Sequence, residues 1–549
     1  MLSQAIYDIP QLLHLLGLTD VIISPGSRSA PLTVAFSRHP GFKKYVVPDE
    51  RSAAFIALGM SLQTKKPTVL VCTSGSAAYN YAPAVAEAFY QQVPMLVLTA
   101  DRPPEWIDQW DGQTIRQQNI YGQHVLKSYQ LPSTDTSDVA QWHLIRTVNE
   151  AAVLAMGQTQ GPVHINVPLR EQLYTDQKFE FSKNLKYWKV EKPPRVGKSE
   201  FNIPVSFKKI LILPGQQQYD QSIADQLEKL AELVPVVCDA QCNYSHLKNV
   251  VRHHDLFLAG KASEELLPDL VITFGKSIIS KNLKLLLRNV EKLQHWHISE
   301  SDLTPDTFKS LSRVIKVDPL TVLKGLKLNN PNPSFLSAWK KLEVKTGSYL
   351  TSAFEKHHFG EFEAVKSVID TLPKEVDIHV ANSMAIRYVN FLGVKSNRQE
   401  IFVNRGTSGI DGSLSTAVGS SLASGNKTVL ITGDLAFFYD RNGLWHNYPP
   451  DDLLVILLNN HGGGIFGMIP GPRSQPELKE YFITEQRLTA AKTADDYKMD
   501  YALVNSRETL ENQLPLFSQR SGLRLLEIET ATDSNQKIFD TIKSEVKTL

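Results

Sequence analysis

Cysteine is scarce: Cys72, Cys238 and Cys242 are the only three thiols in 549 residues. Three cannot build a disulfide scaffold. Cys238 and Cys242 lie four apart, but no second Cys/His pair nearby completes a zinc site. They read as buried or incidental thiols of a reducing compartment. A surplus of either charge is missing as well: Lys plus Arg number 58 and Asp plus Glu 57, a net charge of +1. Such a balance supplies no global field for nucleic acid or a membrane surface. No nucleic-acid partner is expected, and any bound anion must be held by locally placed Arg and Lys. No apolar run approaches the roughly 20 residues that a membrane span needs. The opening stretch MLSQAIYDIPQLLHLLG has no basic region and no small-residue cleavage site. It reads as an amphipathic helix clustering Ile6, Leu12, Leu13, Leu15 and Leu16. The expectation is a cytoplasmic protein without membrane insertion.

What is present is ordinary globular material. Hydrophobic residues make up 42% and charged residues 21%, which excludes a mostly disordered chain. The length suggests about three domains at roughly 100–200 residues each. In the first third, apolar runs at 21–24, 44–47, 68–73, 95–100 and 163–168 read as buried strands, with helices over 29–38, 50–63 and 75–91. Strands alternating with helices imply right-handed crossovers and a parallel sheet. The polar stretch 175–206, with Pro193 and Pro194, reads as a linker. The middle third offers strands at 209–215, 234–240, 269–275 and 295–299, and an Asn/Pro-rich boundary at 327–336. The last third offers strands at 377–382, 401–406, 428–434, 453–460 and 523–530, then a polar helix over 533–548. The predicted fold is α/β, three parallel-sheet domains in series at 1–180, 200–330 and 345–549.

Ligands of open parallel sheets sit at the carboxyl ends of the strands. There the first third carries SPGSRS, PDERS, SGSA and DRPPE, and the last third ANS, NRGTSGIDG, GDLAFFYD and NNHGGGIF. The segment Gly462–Gly467 fits G-x-G-x-x-G, but it follows three polar residues and stands in the last third, so it is a poor dinucleotide fingerprint. A lipase-type reading of HGGG lacks any G-x-S-x-G elbow. Another pattern uses more residues. Gly433 and Asp434 end one apolar run and Asn459 and Asn460 the next, a spacing that fits one βαβ unit. An Asp carboxylate, an Asn oxygen and the Gly462 carbonyl are hard ligands that suit Mg²⁺ beside a diphosphate. A glycine-rich turn capped by Asp and Asn explains the same residues.

Asp434 followed by Asn460 after apolar strands resembles the signature of thiamine-diphosphate enzymes, with GDL (433–435) in place of the usual GDG. Those enzymes have a pyrimidine-binding, a central and a diphosphate-binding domain, which the three blocks would match. Their cofactor needs a Glu that hydrogen-bonds the aminopyrimidine ring. Glu50 stands at a suitable strand end, although a Glu there also serves the helix dipole, and Asp49 competes as the capping residue. SPGSRS (24–29), PDERSAAF (48–55), CTSGSA (72–77), TADRPPE (99–105), NRGTSGIDG (404–412) and NNHGGGIF (459–466) together resemble the 2-succinyl-5-enolpyruvyl-6-hydroxy-3-cyclohexene-1-carboxylate synthases of menaquinone biosynthesis.

The resemblance implies thiamine diphosphate with Mg²⁺ or Mn²⁺, Glu50 as the catalytic residue, and Asp434, Asn460 and Gly462 as metal ligands. It implies Ser383, Ser408, Ile410, Gly433, Leu435, Gly463 and Ile465 around the cofactor. Its substrates are 2-oxoglutarate and isochorismate, both dicarboxylates, so buried anions must be paired with cations. The implied contacts are Ser27, Arg28, Arg102, Gln113, Lys281, Arg387 and Arg405. Ile465, Phe466 and Ile469 would add apolar contacts, and they read equally well as core residues of the following helix. Gly112 and His461 depart from the Asn usual at both places. The implied reaction decarboxylates 2-oxoglutarate and adds the succinyl unit to isochorismate. An acetolactate-synthase type of carboligase or decarboxylase is the alternative. The resemblance also implies a homodimer or homotetramer with active sites between subunits.

Overall fold

The computed structural model describes residues 4–132, 135–174, 179–189, 200–260 and 263–549. Part of the expected linker, 175–178 and 190–199 with its proline pair, lies outside them. The chain divides into two compact units: 1–192 with 404–425 and 436–453, and 193–403 with 426–435 and 454–549.

The first unit holds six strands, β1 (Asp20–Ile23), β2 (Lys43–Val46), β3 (Thr68–Cys72), β4 (Met95–Asp101), β5 (Ser128–Gln130) and β6 (Pro162–Pro168). They form one sheet in the order β2-β1-β3-β4-β6-β5, parallel throughout. β3, β4 and β6 are buried along their whole length, as expected of strands covered on both faces. β2, expected to be buried, is an edge strand with two exposed residues. The expected helix over 75–91 is two helices, Ser76–Asn80 and Ala82–Gln91, and Pro83 sits in the first turn of the second. Pro10 has the same place after a break at Asp8 in the N-terminal helix. Ile6, Leu12 and Leu13 are buried there, whereas Leu15 and Leu16 are only half-buried.

The second unit holds three further sheets. β8 (Ile210–Pro214), β9 (Leu270–Phe274), β10 (Gln294–Ile298) and β11 (Leu311–Ile315) run in the order β11-β10-β9-β8, and β7 (Phe201–Asn202) pairs with β12 (Leu326–Lys327). Alternation along β8 divides its faces: Ile210 and Ile212 enter one apolar cluster, Leu211 and Leu213 another. The stretch 234–240 is buried but makes only isolated bridges, so it is not a strand. His295 and His297 both bond Thr273 Oγ1, at 2.8 and 2.9 Å, and serve the sheet. Cys238 and Cys242 are free, buried thiols.

β13 (Val376–Val380), β14 (Gln399–Phe402), β15 (Thr428–Gly433), β16 (Asp452–Asn459), β17 (Asp500–Val504) and β18 (Gly522–Glu529) complete the chain. Their order, β14-β13-β15-β16-β18-β17, repeats that of the first sheet strand for strand. β14 stops at Phe402, leaving 403–406 as loop. No helix among the described residues is long and apolar enough to cross a membrane. In both six-stranded sheets the strand order reverses between the first and third strands in sequence, β1 and β3 in one and β13 and β15 in the other, and the crevice at such a reversal is where sheets of this kind bind ligands.

Candidate active site

In the first unit the loop after β1 is fixed by close packing. A Cβ on Gly26 would stand 2.2 Å from Thr73, so only glycine fits there. Arg28 is buried, donating to the Leu169 carbonyl and to Glu171 Oε1, both at 2.9 Å. Arg102 reaches the same Glu171 oxygen at 3.8 Å, Asp111 at 3.4 Å and the Gly112 carbonyl at 3.1 Å. Two predicted anion-binding guanidiniums thus converge on one carboxylate. Glu171 itself is 66% exposed. Ser27 Oγ lies 3.0 Å from the Tyr174 hydroxyl. Gln113 is exposed and has a left-handed backbone at φ 57°, next to Gly75.

Glu50 opens the helix Glu50–Thr64, and Asp49, not Glu50, is its cap, accepting from the Arg51 and Ser52 amides. The Glu50 carboxylate is half-buried and accepts from Asn80 at 3.2 Å. The helix lies backbone-to-backbone against Ser413–Ser424: a Cβ on Gly59 would meet the Thr416 carbonyl at 2.0 Å, and one on Gly419 the Ile56 carbonyl at 1.9 Å. The loop leading into Ser413–Ser424 carries Arg405, Ser408 in left-handed backbone at φ 61°, and Ile410, which is exposed.

In the second unit, Asp434 follows β15 and is 2% exposed. Its carboxylate accepts from the Leu435 amide at 2.8 Å and from Gln486 Nε2 at 2.7 Å. Burial pushes its pKa up, and Gln486 and the amides of Leu435 and Gly462 oppose that rise. Asn460 follows β16. Its Nδ2 donates to Glu361 at 2.8 Å, which turns Oδ1 toward the Gly462 amide at 3.2 Å. The Gly462 carbonyl accepts from Gly464 and keeps a second lone pair. A Cβ on Gly462 would stand 2.8 Å from Ile483, which excludes a side chain. Gly433 has open space where a side chain would stand. Beside these residues a cavity of about 590 Å³ is lined by Asn460, His461, Gln486 and Thr530 among others.

Ser383, in left-handed backbone at φ 73°, precedes the helix Met384–Leu392, and Arg387 donates to its carbonyl at 2.6 Å. Ile465 packs partly against the core, Phe466 faces the Phe482 ring at 5.7 Å, and Ile469 is half-buried. Lys281 is exposed at the head of its helix, behind a Ser280 cap. Asp239 holds that turn, accepting from the Ile279 and Ser280 amides and pairing with His254 at 3.0 Å, both side chains fully buried.

Residues 5–123 match the family model described as thiamine pyrophosphate enzyme, N-terminal TPP binding domain, and 181–380 match the middle domain of thiamine pyrophosphate. A 2-succinyl-5-enolpyruvyl-6-hydroxy-3-cyclohexene-1-carboxylate synthase of Cytophaga hutchinsonii is 45% identical over 99% of both chains. The chain belongs to this synthase family. Synthases of the same name from Flavobacterium johnsoniae (39% identical, covering 95% of both chains) and Porphyromonas gingivalis (35%, covering 96% of this chain and 94% of that one) agree.

Three polar residues beside these candidate positions escape sequence reasoning. Glu361 is buried against Asn460, with its pKa pushed up to about 7 by burial and by the Asp434 charge. At the head of a helix it reads as a dipole acid. Gln486 carries no signal at all. Glu171 stands among polar residues where nothing marks it out. His461, one of the two departures, bonds Glu529 at 2.9 Å.

Proposed function

We propose that the chain decarboxylates 2-oxoglutarate with thiamine diphosphate and adds the succinyl unit to the ring of isochorismate. The products are carbon dioxide and the compound for which the relatives are named. Thiamine diphosphate, when bound, supplies the electron sink for breaking and making the carbon–carbon bonds. The chain's own residues bind, orient and exclude water. Glu50, relieved of capping by Asp49, is the carboxylate that hydrogen-bonds the aminopyrimidine ring. Asp434, the Asn460 side-chain oxygen and the Gly462 carbonyl are three hard oxygens from adjacent strand ends. That donor set fits Mg²⁺ or Mn²⁺. The Glu361 bond occupies the Asn460 amide nitrogen, so that the oxygen, with a lone pair left beside the Gly462 amide, is the atom available to the ion. Gly433, Leu435, Gly463 and Ile465, with Ser383, Ser408 and Ile410, surround the cofactor.

Arg28, Arg102, Arg387, Arg405 and Lys281, with Ser27 and Gln113, pair the substrate carboxylates, and Ile465, Phe466 and Ile469 add apolar contact. The observation that carries this reading is the convergence of Arg28 and Arg102 on Glu171 Oε1. An exposed carboxylate bound this way is held weakly enough for a substrate carboxylate to replace it. Domains 1–180, 200–330 and 345–549 bind the pyrimidine, link, and bind the diphosphate. The enzyme works in the cytoplasm as a homodimer or homotetramer with sites between subunits. Purified protein given thiamine diphosphate and Mg²⁺ is expected to form product from 2-oxoglutarate plus isochorismate and to leave pyruvate alone. Turnover with pyruvate only would replace this reading with an acetolactate-synthase type.

A further inference from the structure

Glu87, on the helix Ala82–Gln91, is 1% exposed and carries the only charge in the run PAVAEAF. No cation pairs with it among the hydrogen bonds and ion pairs of the described residues. Instead its carboxylate gathers donors from the loop that bears Arg405. Oε1 accepts from the Gly406 amide at 2.7 Å and from Gln91. Oε2 accepts from the Thr407 amide and the Thr407 hydroxyl, both at 2.6 Å. The loop lies flat on the helix: a Cβ on Gly406 would stand 2.5 Å from the Glu87 carbonyl and 3.1 Å from the Gln91 nitrogen. On the other side of Arg405, buried Asn404 donates to Thr416 Oγ1 at 3.0 Å. Residue 405 therefore stands between a Gly406 amide clamped by Glu87 and a neighbour whose side chain is tethered to Thr416, and a chain has only two soft dihedrals per residue.

A buried carboxylate is costly unless hydrogen-bonded, and here, among the described residues, every hydrogen bond from outside its own helix comes from Gly406 and Thr407. We propose that Glu87 is a positioning residue for the reaction. By clamping Gly406 and Thr407 it presents the Arg405 guanidinium to a dicarboxylate substrate at a fixed height and angle. The proposal rests on the substrate role given to Arg405 above. Bidentate pairing of a carboxylate by Arg depends steeply on geometry, so a loosened loop should weaken substrate binding more than it slows the bound reaction.

The test compares Glu87→Gln, Arg405→Ala and the double variant in the cofactor-loaded enzyme, with Michaelis constants for 2-oxoglutarate and isochorismate, kcat, thiamine-diphosphate affinity, and amide hydrogen exchange over 405–408. In Glu87→Gln an amide nitrogen replaces one acceptor oxygen and faces donors. We expect the Michaelis constant that Arg405→Ala raises to rise in Glu87→Gln as well, by about tenfold. The expected kcat and cofactor affinity are near those of the parent, with faster exchange at 405–408. In the double variant Glu87→Gln should add nothing to Arg405→Ala. Thr407→Val removes one bond from an exposed position and guards against misfolding of the buried variant; a smaller rise in the same constant is expected.

A merely structural Glu87 would lower the amount of active enzyme, and so kcat, with both Michaelis constants unmoved. That result, unchanged exchange at 405–408, or a full multiplicative effect in the double variant overturns the proposal while Arg405 keeps its role. If Arg405→Ala leaves both constants alone, the Arg405 assignment fails first and the proposal falls with it.

Discussion

Replacing His254 by alanine removes one partner of an ion pair whose side chains are both fully buried. Breaking such a pair costs about 3–5 kcal/mol, because the remaining charge is left unpaired. Asp239 would keep two amide donors, from Ile279 and Ser280, so we take the lower end, about 3 kcal/mol. That is on the order of a hundredfold in a local opening equilibrium. Burial pushes the His254 pKa down, but the Asp239 bond and charge outweigh it and leave the group above its usual value. Burial pushes Asp239 up, and the His254 bond and charge bring it below its usual value. A raised His pKa contributes stability fully below about pH 6.5 and loses it as pH rises through the folded value. A depressed Asp pKa contributes above about pH 4 and loses it as pH falls. The pair therefore stabilises most between roughly pH 4 and 6.5.

The assay is hydrogen exchange of the 278–283 amides by mass spectrometry, corrected for intrinsic rates, at pH 6 and pH 8.5. Protection in the parent should fall toward pH 8.5. In the variant it should be lower by about a hundredfold at pH 6 and flat with pH. Equal protection in parent and variant at pH 6, or a gap that does not narrow with rising pH, would mean that the His254–Asp239 pair does not hold this turn.

Glu50→Gln should leave thiamine-diphosphate affinity near the parent's and abolish turnover; a normal rate would remove Glu50 from the mechanism. Asp434→Asn should weaken Mn²⁺ uptake, read by electron paramagnetic resonance with thiamine diphosphate present, by at least about tenfold. Gly419→Ala should lower the melting temperature by at least roughly 3 °C, since its methyl meets the Ile56 backbone, whereas Gly471→Ala, which meets nothing, should not. Asp440 is fully buried, and burial pushes its pKa up to about 7 against the Ser415 bonds. Such a group costs nothing below about pH 4 and progressively more up to its folded pKa. Asp440→Asn should therefore gain thermal stability over the parent between pH 5 and pH 7.5, and a gap constant with pH would contradict this.

The buried strands were legible because both faces demand apolar residues: β3, β4, β15 and β16 stand out as continuous runs. Edge strands lack that demand. β5, β11 and β17 are half-exposed and mixed in composition, and nothing in their residues marks them as strands. The apolar stretch 234–240 misleads in the opposite direction, since burial there comes without a ladder. In the candidate site, the placement of Asp434 and Asn460 at the ends of neighbouring strands was legible because apolar runs at a fixed spacing lead up to them. Glu361 and Glu87 were not, because a carboxylate on a helix looks alike whether it faces solvent or the backbone of a distant loop. One lone charge in PAVAEAF was the available hint for Glu87.

The bare-backbone crossing of Glu50–Thr64 over Ser413–Ser424 acts as a ruler. No rotamer at Gly59 or Gly419 can relax to let one rod slide along the other, so their heads keep a constant offset. One head bears the Glu50 acid and the other the loop with Ser408 and Ile410. Alignment of these groups is thus stored in hydrogen atoms, where substitution can only lengthen the gauge.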